Sequence, residues 1–388
     1  MALQRTYLDW NATAPLSEAA RLAMVEAFSL PGNASSVHAE GRSARAAVEK
    51  ARRQVAALVG AEPAHVTFTS GATEASNHVL SPDYRMGRAP VSISHLYASA
   101  IEHPAIREGG RFAAEQITEV PVTPTGIVDL AALEALLAKH DPASGLPMVA
   151  VMLVNNETGI VQPVAEVAAL AHKYRGLMVV DAVQAAGRLS LDINTLDADF
   201  LIISSHKIGG PKGVGALISR GEVLMPKPLI RGGGQEKGHR SGTENFHAII
   251  GFGAAAQVMS EDLEDRNARI GAFRDRLEQA MVRAAPDIVI HGVNRHRVAN
   301  TSFFTLPGMK AETGQIAFDL EGIALSAGSA CSSGKVGQSH VLTAMGLDTD
   351  VGGLRISLGP ETTETDIEMA IAAFGKIARR RKVSGQAA

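Results

Sequence analysis

Cysteine is almost absent from this chain: of 388 residues only Cys331 carries a thiol. One thiol cannot close an internal disulfide, which excludes a disulfide-stapled scaffold and fits a reducing compartment. An excess of charge is missing too. Lys and Arg total 37 against 40 Asp and Glu, a net charge of −3, so the basic footprint of a nucleic-acid binder is not there. No apolar run approaches the roughly 20 residues that a membrane span needs. The longest, such as MVAVMLV at 148–154, have the length of a buried strand. The opening MALQRTYLDW has no apolar stretch of the signal-peptide kind, and internal repeats are absent. These absences predict a soluble cytoplasmic protein with neither nucleic acid nor membrane as a partner.

What is present is the composition of a globular enzyme-sized chain, 46% apolar and 20% charged. Its length exceeds one ordinary core, so two lobes are expected. Short apolar runs (HVTFTS, MVAVMLV, GLMVVD, DFLIISS, GVGALIS) alternate with helix-period stretches such as VAEVAALAHKYR at 164–175. That alternation predicts an α/β fold whose mainly parallel sheet is covered by helices. Beyond residue 246 the texture changes. A charged amphipathic helix is expected over roughly 258–284, then shorter strands (DIVIHG, RVANTSFFTL) and a final helix running into RRRKVSGQAA, read as a frayed basic end. The predicted division is a large lobe of residues 16–257 and a smaller α+β lobe of 1–15 and 258–388.

In open α/β sheets ligands gather at the carboxyl ends of strands. LMVVD ends in Asp181, followed by Gln184, and FLIISSHK ends in His206 and Lys207 before the flexible GGPKGVG. Taken singly, Asp181 reads equally as a helix cap and Lys207 as a surface residue. Together they match what pyridoxal phosphate requires, an amine for the aldehyde and an acid for the ring nitrogen. FTS-GATEASN supplies a strand, a glycine and then Ala72 and Thr73 at a helix start, a seat for a phosphate. The Walker pattern is missing, which excludes nucleoside triphosphates. His103 in IEHPAI can stack on a planar ring and titrate near neutrality. Asn155 in NNETG follows another strand. Arg355 in LRISLG suits a substrate carboxylate or, equally, an ion pair. The loop RGGGQEKGHRSGTEN, with Arg240 and Thr243, reads as a ligand loop, a subunit contact or a plain turn. Cys331 sits among Ser329, Ala330, Ser332, Ser333 and Gly334, with Lys335 and His340 nearby, a setting that favours a reactive thiolate over an inert buried thiol.

In order along nearly the whole chain, YLDWNATAPL, GNASSVHAEG, FTSGATEASN, EHPAI, NNETG, DAVQAAG, SSHKIGGPKGVG, GGGQEKGHRSGTEN, GSACSSG and LRISLG resemble the NifS/IscS-type cysteine desulfurases. These are class V, fold-type I pyridoxal-phosphate enzymes. The resemblance implies a seven-stranded-type sheet in the large domain. It further implies that Lys207 carries the cofactor as a Schiff base and that Asp181 holds the pyridine nitrogen. Gln184 and Asn155 would lie on the ring-hydroxyl side, with His103 stacked on the ring and active in catalysis. Ala72, Thr73, Ser204 and His206 would bind the phosphate, joined by Thr243 from the partner of a homodimer. Arg355 and Asn33 would take the carboxylate of L-cysteine. Cys331 would be the catalytic sulfur acceptor, forming a persulfide on a long loop that feeds an iron–sulfur scaffold or another acceptor protein. No intrinsic metal is implied, although Cys331 could transiently ligate an iron–sulfur cluster. Trp10 stands where many members have Asn, and Ala34 replaces the usual proline beside Asn33. The alternatives are a selenocysteine lyase or another class V aminotransferase, which has no use for Cys331, and an idle interaction protein, which should have lost Lys207, Asp181 or Cys331.

Overall fold

A computed structural model describes residues 5–328, 338–347 and 350–386. Seven strands of its large sheet lie in the spatial order Ile117–Val120, Ala89–Ser99, Leu146–Met152, Leu177–Asp181, Phe200–Ser204, Gly215–Ser219 and Val66–Thr69. The first five run parallel. Gly215–Ser219 is antiparallel to both its neighbours. Two short strands, Asp83–Met86 and Leu224–Pro226, continue the sheet beside the first half of Ala89–Ser99, bringing it to nine. The strands are apolar nearly throughout because helices cover both faces. Val180, Ile203 and Phe68 pack on one side with Val48, Val55 and Phe252. Val179, Ile202 and Leu217 pack on the other with Ala75, Val79 and Tyr84. The two-residue alternation of a strand thus feeds two cores at once.

A third apolar core gathers Leu8, Ile270, Leu277, Phe304, Phe318, Ile356 and Phe374. Its sheet is antiparallel, in the order Val289–Ile290, Thr301–Thr305, Leu354–Ser357, Ser326–Ala327. The start of the chain joins it: Thr6–Tyr7 pairs with Ile323–Ala324, and Asp9 bridges to Ser357. The helix expected over 258–284 is instead broken. Phe246–Ser260 packs Ile249, Phe252 and Met259 into the first core. Asp262 then adopts the left-handed conformation (φ 49°), which a short polar residue tolerates, and Leu263–Ala284 follows. The final helix continues into the basic stretch, and its Arg381 is held by the small lobe. Within the helix Glu364–Gln386, Arg381 donates to the Pro307 carbonyl at 2.7 Å and to Asp287 at 2.6 Å. Among the described residues no helix is long and apolar enough to cross a membrane.

One buried ion pair fastens the glycine-rich 231–245 segment to the sheet edge. Arg52, on the helix Ala39–Leu58, forks onto both oxygens of Glu236 at 2.7 and 2.8 Å. Glu236 also accepts the Phe68 N–H at 2.9 Å, and Arg52 donates to the Val66 carbonyl at 2.8 Å. Both side chains are nearly inaccessible, at 9% and 2% exposure. Removing Glu236 leaves the buried Arg52 with only the partly exposed Glu49 as an ion-pair partner, at 3.0 Å. Glu236→Ala is therefore expected to lower the thermal unfolding midpoint by about 5–10 °C. A shift within a degree in scanning calorimetry would show that the pair does not hold this edge.

Candidate active site

Five strand ends (Thr69, Ser99, Met152, Asp181 and Ser204) open onto one cavity of about 540 Å³. Because the strands are parallel in register, the loops leaving them converge, and each delivers a polar side chain. The turn after Thr69 leads into the helix Ala72–Val79, whose first residues line the cavity. This turn lies directly against the neighbouring strand: a Cβ on Gly215 would come within 2.8 Å of Gly71 Cα, so only glycine permits the approach. Ser204, His206, Lys212 and Gly213 line the cavity with Ala72 and Thr73. Arg240 donates to Glu74 at 2.9 Å, fastening the 231–245 segment to the same helix.

Lys207 donates its Nζ hydrogens to the backbone carbonyls of Asn11 and Ala12, at 2.6 and 2.8 Å. Asn11 O also accepts from Gln184 Nε2 at 2.9 Å, while Gln184 Oε1 accepts from Arg188. Asp181 Oδ1 accepts the Val183 N–H at 2.9 Å. Burial pushes the Asp181 carboxyl up, against the pull of that N–H, His103 and Lys207. His103 caps the short helix Pro104–Arg107, its Nδ1 accepting the Ala105 N–H at 3.1 Å. The neutral ring must then carry its proton on Nε2. Burial lowers the His103 pKa; Asp181 opposes that shift and Lys207 adds to it. His206 faces Thr13 Oγ1 through Nδ1 at 3.1 Å. Its pKa falls to about 4, through burial first and then the charges of Lys207 and Lys212.

Of the expected site residues, Ala72, Thr73, His103, Asp181, Gln184, Ser204, His206 and Lys207 share this cavity. Asn155 does not reach it. Its Oδ1 accepts from Glu157 N, Thr158 N and Thr158 Oγ1, its Nδ2 donates to the Ile101 carbonyl, and it is fully buried beneath the wall. The carboxamide on the wall belongs to Asn156. The repeated Asn in NNETG leaves one-residue ambiguity that only the turn geometry resolves. Arg355 is 1% exposed and lies behind that wall, donating to the Asn156 carbonyl at 2.8 Å and to Asp9 at 2.9 Å. Thr243 and Asn33 are exposed and away from the cavity, with Asn33 capping Ser35 N at 2.8 Å. Cys331 lies outside the described residues. Sequence reasoning missed Thr13, Asn156, Lys212 and the carbonyls of Asn11 and Ala12. Backbone acceptors leave no side-chain signature.

Residues 6–369 match the family "Aminotransferase class-V". The chain belongs to that family. It is 37% identical to an IscS-like cysteine desulfurase of Mycobacterium tuberculosis, over 98% of both chains. It is 38% identical to a human cysteine desulfurase, over 95% of this chain and 80% of that one. A NifS-like protein of Rickettsia africae superposes with a TM-score of 0.86 at 34% identity, covering 96% of this chain and 99% of that one.

The cofactor of such class V enzymes is pyridoxal phosphate, and the residues present fit it. Asp181 is a buried carboxylate without an ion-pair partner among the described residues, so a protonated ring nitrogen would supply the missing countercharge. The helix start at Ala72, with Ser204, His206 and Lys212, offers N–H, O–H and ammonium donors for a phosphate. A neutral His206 donates there without adding charge. His206 protonates near 4 in the folded, cofactor-free chain and near 6.5 when unfolded. As pH falls from about 6.5 to 4 the unfolded chain alone gains this proton, so the His206 contribution to stability is lost over that window. An NMR titration of the cofactor-free protein should place the His206 imidazole midpoint near 4. A midpoint near 6.5 would refute this desolvated site.

Proposed function

We propose that this chain is a pyridoxal-phosphate-dependent cysteine desulfurase that moves the sulfur of L-cysteine onto Cys331. One observation carries the reading. Lys207, Asp181, His103 and a phosphate seat converge on a single cavity, in a chain 37% identical over nearly its full length to an IscS-like cysteine desulfurase.

When bound, pyridoxal phosphate acidifies the amino-acid Cα–H and makes the Cβ–S bond labile. The chain supplies the rest. Lys207, with its ammonium oriented by two carbonyls, carries the proton at Cα. Asp181 stabilises a protonated ring nitrogen, and Gln184 and Asn156 flank the same wall. His103, with its proton on Nε2, stands where it can exchange one with the substrate thiol. Arg355, behind Asn156 and paired with Asp9, would have to leave that pair to take the substrate carboxylate, the role that the resemblance implies for it. At the transfer step the Cys331 thiolate attacks the substrate sulfur, the Cβ–S bond breaks and an S–S bond forms. L-cysteine and the thiol become L-alanine and a persulfide with no net oxidation.

A homodimer is part of this proposal. Leu22, Val25 and Phe28 of the helix Glu18–Ala27 and its end are 52%, 56% and 68% exposed, an apolar stripe suited to burial against a second copy. Thr243, exposed and distant from its own cavity, would then serve the partner's phosphate seat. The cytoplasm, and delivery of the persulfide sulfur to an iron–sulfur scaffold or another acceptor, complete the reading. The test is alanine and sulfide release from L-cysteine with added cofactor and a thiol reductant. Wild type is expected to release the two in equal amounts. Cys331→Ala should keep the visible absorbance of bound cofactor and lose activity on the order of a hundredfold or more. A variant as active as wild type would remove Cys331 from the mechanism and turn the reading to a lyase or transaminase.

A further inference from the structure

Glu157 is a carboxylate 1% exposed, on the turn that carries Asn156 to the cavity wall, and the cofactor chemistry does not use it. Its Oε2 accepts the Ser339 hydroxyl at 2.6 Å. The same Ser339 oxygen caps the helix His340–Ala344 by accepting the Leu342 N–H at 3.1 Å. Gly328 lies against the same carboxylate oxygen. A Cβ at residue 328 would fall 2.7 Å from Glu157 Oε2 and 2.7 Å from the Phe303 ring, so the approach requires glycine. Gly328 N–H is fixed in turn to the Gly353 carbonyl at 2.8 Å. The described chain stops at Gly328 and resumes at residue 338, and the stretch between them contains Cys331. The Ser339 side is hydrogen-bonded to Glu157 Oε2, whereas Gly328 only packs close to that oxygen. The downstream flank has a second tie, a 3.0 Å hydrogen bond between His340 Nε2 and the carbonyl of Glu102, the residue before His103.

We propose that Glu157 is a positioning residue for sulfur transfer, its carboxyl anchoring, through Ser339, the start of the helix that follows Cys331. The inference rests on the reading of Cys331 as sulfur acceptor. Its physical content is geometric. A nucleophile must reach within about 3–3.5 Å of the atom it attacks, and the bonds at Ser339 and His340 fix the chain that follows Cys331 beside Asn156 and His103. At 2.6 Å this hydroxyl–carboxyl hydrogen bond lies at the short end of the range for O–H···O contacts.

Cys331 is the one thiol of the chain, so its alkylation by iodoacetamide in the cofactor-loaded enzyme reads the stretch directly, apart from turnover. Glu157→Gln and Ser339→Ala are each expected to speed alkylation about threefold or more. Each should lower kcat for alanine formation about tenfold, with KM for L-cysteine within about twofold of wild type. Because both break the same contact, the double variant should lose no more than about twofold beyond the worse single one. Ser339→Ala leaves the buried carboxylate in place and keeps the test open if Glu157→Gln fails to fold. Alkylation at the wild-type rate in Ser339→Ala, or losses in kcat that multiply in the double variant, would overturn the proposal. A wild type that forms no alanine overturns the desulfurase reading instead, and the alkylation comparison then decides the role of Glu157 by itself.

Discussion

The arrangement depends on a short stretch of backbone, residues 9–13, lodged between the two sheets. Asp9 bridges to the small sheet at Ser357 and accepts from Arg355 and Ser326. Two residues on, the Asn11 carbonyl accepts from both Lys207 and Gln184, the Ala12 carbonyl accepts a second Lys207 hydrogen, and Thr13 meets His206. One stretch thus orients residues on, or just after, four strands, two from each sheet. Carbonyls suit this task because they are fixed by the chain and cannot rotate away.

Around this strap the electrostatics follow from burial. Asp181 and Glu102 are both removed from water, and burial pushes both carboxyls up. Glu102 Oε1 accepts the Met152 N–H at 2.7 Å while its Oε2 is buried without a partner among the described residues. Its position in the low-dielectric core favours the neutral acid and leaves Asp181 as the carboxylate for a cationic ring. The histidines His103 and His206 are held towards neutrality by the same desolvation. The cavity therefore presents an amine, an acid and neutral donors before any ligand enters, which limits reorganisation during the reaction.

The legible parts of the sequence were those whose signal is local. Near-continuous apolar runs marked the parallel strands, and Asp181, Lys207 and His103 could be placed because each follows a recognisable strand end. Ala72 and Thr73 were visible through the strand–glycine–helix pattern. What could not be read is equally specific. Asn155 and Asn156 differ by one position, and the turn sends the first into a network of three acceptor bonds and the second to the cavity. The break at Asp262 divides what looks like one amphipathic helix, since the helical period continues on both sides of it. Arg355 was found by its motif, yet its seat behind Asn156 depends on Asp9, far away in sequence.

The sequence by itself determined the fold class, the family and the chemistry-bearing residue types, because strand periodicity and ordered motifs are carried by neighbouring positions. Only the tertiary structure decided which carbonyls hold Lys207, which asparagine faces the cavity, and that Glu157 accepts from Ser339 after the cysteine stretch. Those contacts join residues hundreds of positions apart or turn on a single backbone torsion, and no local pattern records either.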